Sequence, residues 1–208
     1  MHEKVLPKNS KRILEYLDTL NAKSLTGWTL AGGTGLALQL GHRVSEDFDF
    51  FRSHGFDLKE LHQIFNRSGK YETLQEDQNT LTVIVKGVKL SFFQISEPFL
   101  FKKKKYYFFE IADIKDIALM KLIATSSRGS KKDFVDLFVI LRSGIKLLEC
   151  FDLLKKKYPR GRSNFYHILK SLNYFVDAER EPLPTMLEPF QWEECKKFLI
   201  REAHQIIF

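Results

Sequence analysis

Only two cysteines occur in this chain, Cys150 and Cys195, far apart and neither with a second cysteine nearby. That spacing suggests neither a disulfide framework nor a zinc knuckle, and both thiols are expected to be reduced core residues. Long apolar runs are missing as well. The longest apolar stretches, such as Asp116 to Thr125, are too short and too interrupted to span a bilayer. The first ten residues, MHEKVLPKNS, hold no apolar segment of signal type, so the expected location is cytoplasmic. No HExxH, GxSxG or paired CxxC is found, which argues against a zinc protease, a serine hydrolase and a zinc finger. Neither internal repeats nor low-complexity tracts are apparent.

Phenylalanine, by contrast, is abundant. Nineteen of them in 208 residues make a sizeable core easy to fill, and 44% hydrophobic with 28% charged residues fits a globular protein, either one domain or a core with an appended piece. The formal net charge of +7 is compatible with a polyanionic partner and equally with an ordinary basic protein. The densest basic run, Lys102 to Lys105, lies between FLF and YYFF and reads as an exposed linker rather than a dedicated RNA contact.

Periodicity divides the chain. Ser10 to Leu20 places Ile13, Leu14, Leu17 and Leu20 at helical spacing. Trp28 to Ala31 reads as a short strand, Thr34 to Leu40 as a helix, Asp47 to Phe51 as the next strand and Leu58 to Asn66 as another helix. The period then changes to two: Tyr71 to Gln75, Leu81 to Val85 and Val88 to Ile95 form an antiparallel meander, with Tyr106 to Ile111 as a further strand. Helical patterns follow to the end, including Ile145 to Tyr158, Phe165 to Phe175 and Trp192 to Ile206. The fold class expected is α+β, a mixed α/β core over residues 1–112 followed by a helical region over 113–208. Arg160, Arg162 and Lys170 are the first candidates for gripping an acceptor in that last region.

One segment, LAGGTGLALQLGHRVSEDFDFF from Leu30 to Phe51, concentrates the chemistry. GGTGLAL lacks the GK[ST] ending of a Walker loop, and Leu38 stands where a dinucleotide fingerprint needs glycine. What remains is a strand ending in Gly32 and Gly33, followed by a helix start whose amides, with the Thr34 hydroxyl, can receive phosphate oxygens. Such a pair alone can equally be just a turn. Asp47 and Asp49 follow, both on one strand face while Phe48 and Phe50 face the packing. Paired carboxylates with phosphates completing the shell are how Mg2+ is usually held. Arg43 is the better candidate than His42 for a cation near phosphates.

Downstream, IKDIALMKLIA is apolar nearly all round, so Lys121 within it must either snorkel outward or meet an anion. After the polar turn Ser126 to Ser130, Asp133 and Asp136 sit one turn apart on a helix. Asp133 suits the helix dipole there, so capping alone can explain it.

Together these residues carry a family likeness. GG(T), a gap and DxD resemble the nucleotidyltransferase superfamily that includes DNA polymerase beta. With ALMKLIATSSRGSKKDFVDLFVIL, the pattern resembles the AbiEii/AbiGii toxin family and its MenT relatives over roughly Leu30 to Leu141. The resemblance implies a nucleotidyltransferase-like core with a mostly antiparallel twisted sheet flanked by helices. It implies catalysis by Asp47, Asp49, Lys121 and Asp133, with Asp47 and Asp49 holding Mg2+ or Mn2+. Gly32, Gly33, Thr34, Arg43, Lys132 and Asp136 would bind the NTP, and Arg128 would meet phosphate or RNA. The implied acceptor is RNA, the tRNA 3′ end in particular, in a toxin whose antitoxin is encoded separately. One departure stands out: Ser91, in VKLSFFQI, occupies the strand where a third carboxylate is common. Three consequences stay open: a single Mg2+ suffices, Asp133 or Asp136 substitutes, or nucleotide is bound without efficient transfer. A small-molecule nucleotidyltransferase resembling the aminoglycoside-modifying enzymes, and a non-catalytic nucleotide-binding module, are the alternatives.

Overall fold

Alternation along a single strand sets the layout around the acidic pair. In β2 (Phe48–Arg52), Phe48 and Phe50 are fully buried while Asp49 is half-buried on the opposite face. The computed structural model describes residues 1–159 and 164–206. It divides into two compact units, Met1–Asp113 and Ile114–Phe208.

The first unit is built on one open seven-stranded sheet in the order β3-β4-β5-β2-β1-β7-β6. Besides β2 these are β1 (Thr29–Ala31), β3 (Tyr71–Asp77), β4 (Thr80–Val85), β5 (Val88–Gln94), β6 (Lys104–Tyr106) and β7 (Phe109–Ile111). Neighbours run antiparallel except β1 with β7 and β2 with β5. The antiparallel meander expected from the period-two segments is present as β3-β4-β5, within the mostly antiparallel sheet that the resemblance implied. The β4–β5 turn is Lys86-Gly87, both at positive φ (51° and 82°), the two-residue geometry that matches strand twist. Helices α1 (Lys8–Thr19), α2 (Gly32–Leu40) and α3 (Leu58–Arg67) complete the unit. Its core is aromatic: Phe50 stacks on Phe92 at 5.1 Å, and Trp28 meets Phe92 edge-on at 4.9 Å.

Several boundaries differ from the sequence reading, three of them with consequences for the site and the sheet edge. α2 starts at Gly32, not Thr34, because Gly32 adopts φ +64° and turns the chain directly out of β1 into the helix. β2 starts at Phe48, not Asp47, where the Asp47 carbonyl accepts from the Thr34 hydroxyl. The single strand expected over Tyr106 to Ile111 is a hairpin, Tyr106 pairing with Phe109 across a turn in which Tyr107 has φ 47°. Lys104 and Lys105 consequently belong to the edge strand β6 instead of a linker, and charged edges discourage pairing with other chains.

The second unit is helical: α4 (Ile114–Ser127), α5 (Lys131–Arg142), α6 (Leu147–Lys157), α7 (Phe165–Ser171), α8 (Val176–Glu179) and α9 (Trp192–His204). α5 and α9 interdigitate through Phe138 against Phe198 at 5.2 Å and Phe134 against Trp192 at 6.1 Å. The start of α5 is closed by Glu181, whose carboxylate accepts from Ser130 Oγ at 2.7 Å and Lys131 N at 2.9 Å. Lys157, which resembles a charge placed for the helix dipole, is buried and donates to Asp116 Oδ1 at 2.7 Å, tying the end of α6 to α4. Cys150 and Cys195 are both buried and free, and burial pushes the Cys150 thiol up to about 12 and the Cys195 thiol up as well. Among the described residues no helix is long and apolar enough to cross a membrane.

Candidate active site

Ala31 faces Asp49 across the β1–β2 ladder, and α2 begins at the next residue. The first turn of α2 therefore lies against the Asp49 carboxylate. A Cβ on Gly32 would come within 2.8 Å of Asp49 Oδ2, so the position needs glycine for space as well as for its positive φ. A Cβ on Gly33 would strike the Arg43 Nη2 atom and approach Ser45 Oγ at 3.4 Å. Arg43 is buried, and its Nη1 donates to the Val44 carbonyl at 3.0 Å. Gly32, Gly33 and Thr34 are the first residues of α2, where backbone N–H groups have no acceptor inside the helix and carry partial positive charge. Thr34 itself is buried: its hydroxyl lies 2.7 Å from Ser45 Oγ and donates to the Asp47 carbonyl, which pins the approach to β2.

Asp47 stands one step before the Phe48–Leu90 register pair of β2 and β5, and its Oδ2 is 2.9 Å from Lys89 Nζ. Asp49 is paired in register with Ser91 on β5. Ser91 is buried and accepts from Thr82 Oγ1 at 3.3 Å. The β5 position beside Asp49 thus offers a hydroxyl where an acid would serve as a further ligand. Among the described residues no group of three or more His, Cys, Asp or Glu is gathered. Two carboxylates are nonetheless an adequate protein share for Mg2+, which keeps water and phosphate oxygens in its shell. The donor chemistry, with a helix start beside it whose two glycines let the Asp49 and Arg43 side chains approach closely, fits an ion arriving with a triphosphate.

Within the second unit a charge cluster forms. Lys121, 4% exposed, reaches Asp133 Oδ1 at 2.8 Å and Asp136 Oδ2 at 2.6 Å. Arg128 grips Asp133 with both Nε (2.6 Å) and Nη2 (2.9 Å). Burial works against the Lys121 charge, but the two aspartates outweigh it and hold its pKa above the usual value. For Asp133 burial again acts against the charge, and the Arg128 and Lys121 cations hold its carboxyl below the usual range. Of the two options for Lys121, outward snorkelling or an anion, the structure has the anion, supplied by the chain itself. Asp133 is an ion-pair partner and not merely a dipole charge. Lys132 is exposed and stands outside this cluster, His42 is buried in its loop, and Lys170 is exposed on α7. Arg160 and Arg162 lie outside the described residues.

Contacts that escaped the sequence reading include Lys89 on Asp47, Ser45 on Thr34, Lys157 on Asp116 and Arg128 on Asp133. Lys89 had one available signal, its place two residues before Ser91 and so on the same strand face.

The comparisons with known proteins bear on this arrangement. The family model described as "Nucleotidyl transferase AbiEii toxin, Type IV TA system" matches residues 16–205. An uncharacterized protein of Aquifex aeolicus is 38% identical over 207 residues, covering 97% of this chain and 98% of its own. Among solved structures, JHP933 from Helicobacter pylori superposes with a TM-score of 0.57 at 19% identity, over 96% of this chain and 92% of that one. MenT4, a nucleotidyltransferase toxin from Mycobacterium tuberculosis, does so with a TM-score of 0.52 at 16% identity, over 96% and 83%. At those identities the two structures establish a shared fold, and the family match extends over nearly the whole chain. The protein belongs to the AbiEii nucleotidyl transferase toxin family of type IV toxin–antitoxin systems, and it is a nucleotidyltransferase.

Proposed function

We propose that the protein transfers a nucleoside monophosphate from an NTP to the terminal hydroxyl of an RNA, the tRNA 3′ end being the acceptor. In this reading it acts in the cytoplasm as a toxin restrained by a separately encoded antitoxin. The observation that carries the reading is the juxtaposition of Asp49 with the Gly32 helix start, an acid beside an anion-binding turn. Asp47 and Asp49 would hold Mg2+ or Mn2+, which when bound supplies charge neutralisation on the phosphates. The α2 amides at Gly32, Gly33 and Thr34, with the Arg43 guanidinium, bind and orient the phosphates. The acceptor oxygen forms a bond to the α-phosphorus as the bond to the bridging oxygen of the β-phosphate breaks. Pyrophosphate leaves and the hydroxyl proton passes to solvent water. Holding both reactants in line is worth much of the rate in such reactions. Lys121 and Asp133 are assigned to the same reaction. Their support is the family match.

Incubation with labelled NTPs, Mg2+ and total tRNA tests the proposal. Label should enter RNA with wild type and fall by at least ~100-fold with Asp49→Ala, the loss typical when phosphoryl charge is left uncompensated. RNA affinity should drop by roughly fiftyfold between ~50 and ~200 mM salt if about four phosphates are neutralised. Nucleotide binding with no label in RNA, or transfer indifferent to salt, would overturn RNA as the acceptor.

A further inference from the structure

Besides the two acids, the face that carries Asp47 and Asp49 presents a lysine. β5 alternates Leu90, buried, with Lys89 and Ser91 on the Asp49 side. Ser91 is the register partner of Asp49, and Lys89 Nζ lies 2.9 Å from Asp47 Oδ2. Its side chain is 39% exposed and that of Asp47 38%, so as a stabilising ion pair the contact is worth little. As a charge at a metal centre it matters more. Two-metal centres hold their ions ~3.5–4 Å apart between shared carboxylates. Here the position that would supply a further carboxylate is a buried hydroxyl engaged with Thr82, and one of the two acids already carries an ammonium.

We propose that Lys89 is the resident cation of this centre, taking the place of one of two divalent ions, so that Asp47 and Asp49 serve a single Mg2+. The proposal rests on the nucleotidyl-transfer reading and names how its metal site is balanced. An ammonium is a compact point charge on a flexible stem. Attached to Asp47, it holds that carboxylate in place and reduces the negative potential that would draw a second ion.

Titration with Mn2+ followed by electron paramagnetic resonance tests this with and without nucleotide. Without nucleotide, Lys89→Met should bind Mn2+ about tenfold more tightly than wild type, as expected on removing one nearby positive charge in a partly screened site. Lys89→Arg, which keeps the charge, should match wild type. With a non-transferable α,β-methylene NTP analogue, wild type should take up one Mn2+ per chain, and the double variant Lys89→Met, Ser91→Asp should take up two. Equal Mn2+ affinity in Lys89→Met and wild type, or two Mn2+ on wild type with the analogue, would overturn the proposal. Failure of the broader reading shows differently. The analogue would then bind none of the proteins, while the nucleotide-free titration still decides whether Lys89 opposes the ion.

Discussion

Gly32 shows how much function rests on the absence of a side chain. Its φ of +64° and the 2.8 Å approach of a Cβ to Asp49 Oδ2 are separate demands met by one residue. In Gly32→Ala the backbone term alone costs ~1–2 kcal/mol, and the methyl group pushes the Asp49 carboxylate away from the helix start. We expect a modest loss of stability in urea melts together with a disproportionate loss of Mn2+ affinity. A variant that melts lower yet binds Mn2+ as wild type does would show that the carboxylate tolerates the displacement. At this scale the sequence was informative where geometry is local. Asp47 and Asp49 sharing a face, with Phe48 and Phe50 buried behind them, follows from a period of two. Of the Lys89 contact only the strand face was legible, from its spacing to Ser91, because its partner depends on β5 lying parallel beside β2, and strand order across thirty-odd residues leaves no local trace.

Between elements, the joint of α4 with α5 is electrostatic as well as apolar. Lys121 on α4 is clasped by Asp133 and Asp136 of α5, all three buried. Removing the cation in Lys121→Met strands the carboxylates and should cost ~3–5 kcal/mol. The pH dependence follows from the signs. Asp133 has its pKa depressed in the folded state, so its contribution is complete above the unfolded value of ~3.9 and is lost as pH falls through the lower folded one. Lys121 has its pKa raised, so its contribution is complete below ~10.4 and is lost as pH rises through the higher folded one. Denaturant melts across pH should show a plateau from this cluster between those limits. The triple variant Lys121→Met, Asp133→Asn, Asp136→Asn should lose less stability on acidification than wild type. An identical acid slope in both would assign the acid sensitivity elsewhere. From sequence, an apolar helix interrupted by one lysine announced that an anion or an escape route was needed. It did not announce which, since Asp133 also suited a first helical turn. Lys157 was less legible still: at the end of a Lys-Lys-Lys run it looks solvated, and only its burial against Asp116 reveals a second clasp on α4.

For the whole chain, mixed α/β in the first half and helices in the second were legible from the change of period, because burying one face of a sheet or a helix imposes a repeat. Edges were less so. β6 and β7 are three residues each, too short to show alternation, and Tyr107 at positive φ gives no compositional hint of a turn. The distribution of cysteine carries a different consequence. Both thiols fall within Ile114–Phe208, both are buried, and the Met1–Asp113 unit has none. It is the thiolate that attacks an alkylating reagent and displaces its iodide, and burial suppresses the thiolate here. In native buffer, iodoacetamide should therefore leave the protein unlabelled over times that exhaust a free thiol. Denaturant should release labelling at the rate at which the helical unit opens. Mass spectrometry of that reaction, beside fluorescence of Trp28 in a Trp192→Phe variant that leaves one tryptophan, in the sheet unit, turns the chain into its own pair of clocks, one for each half.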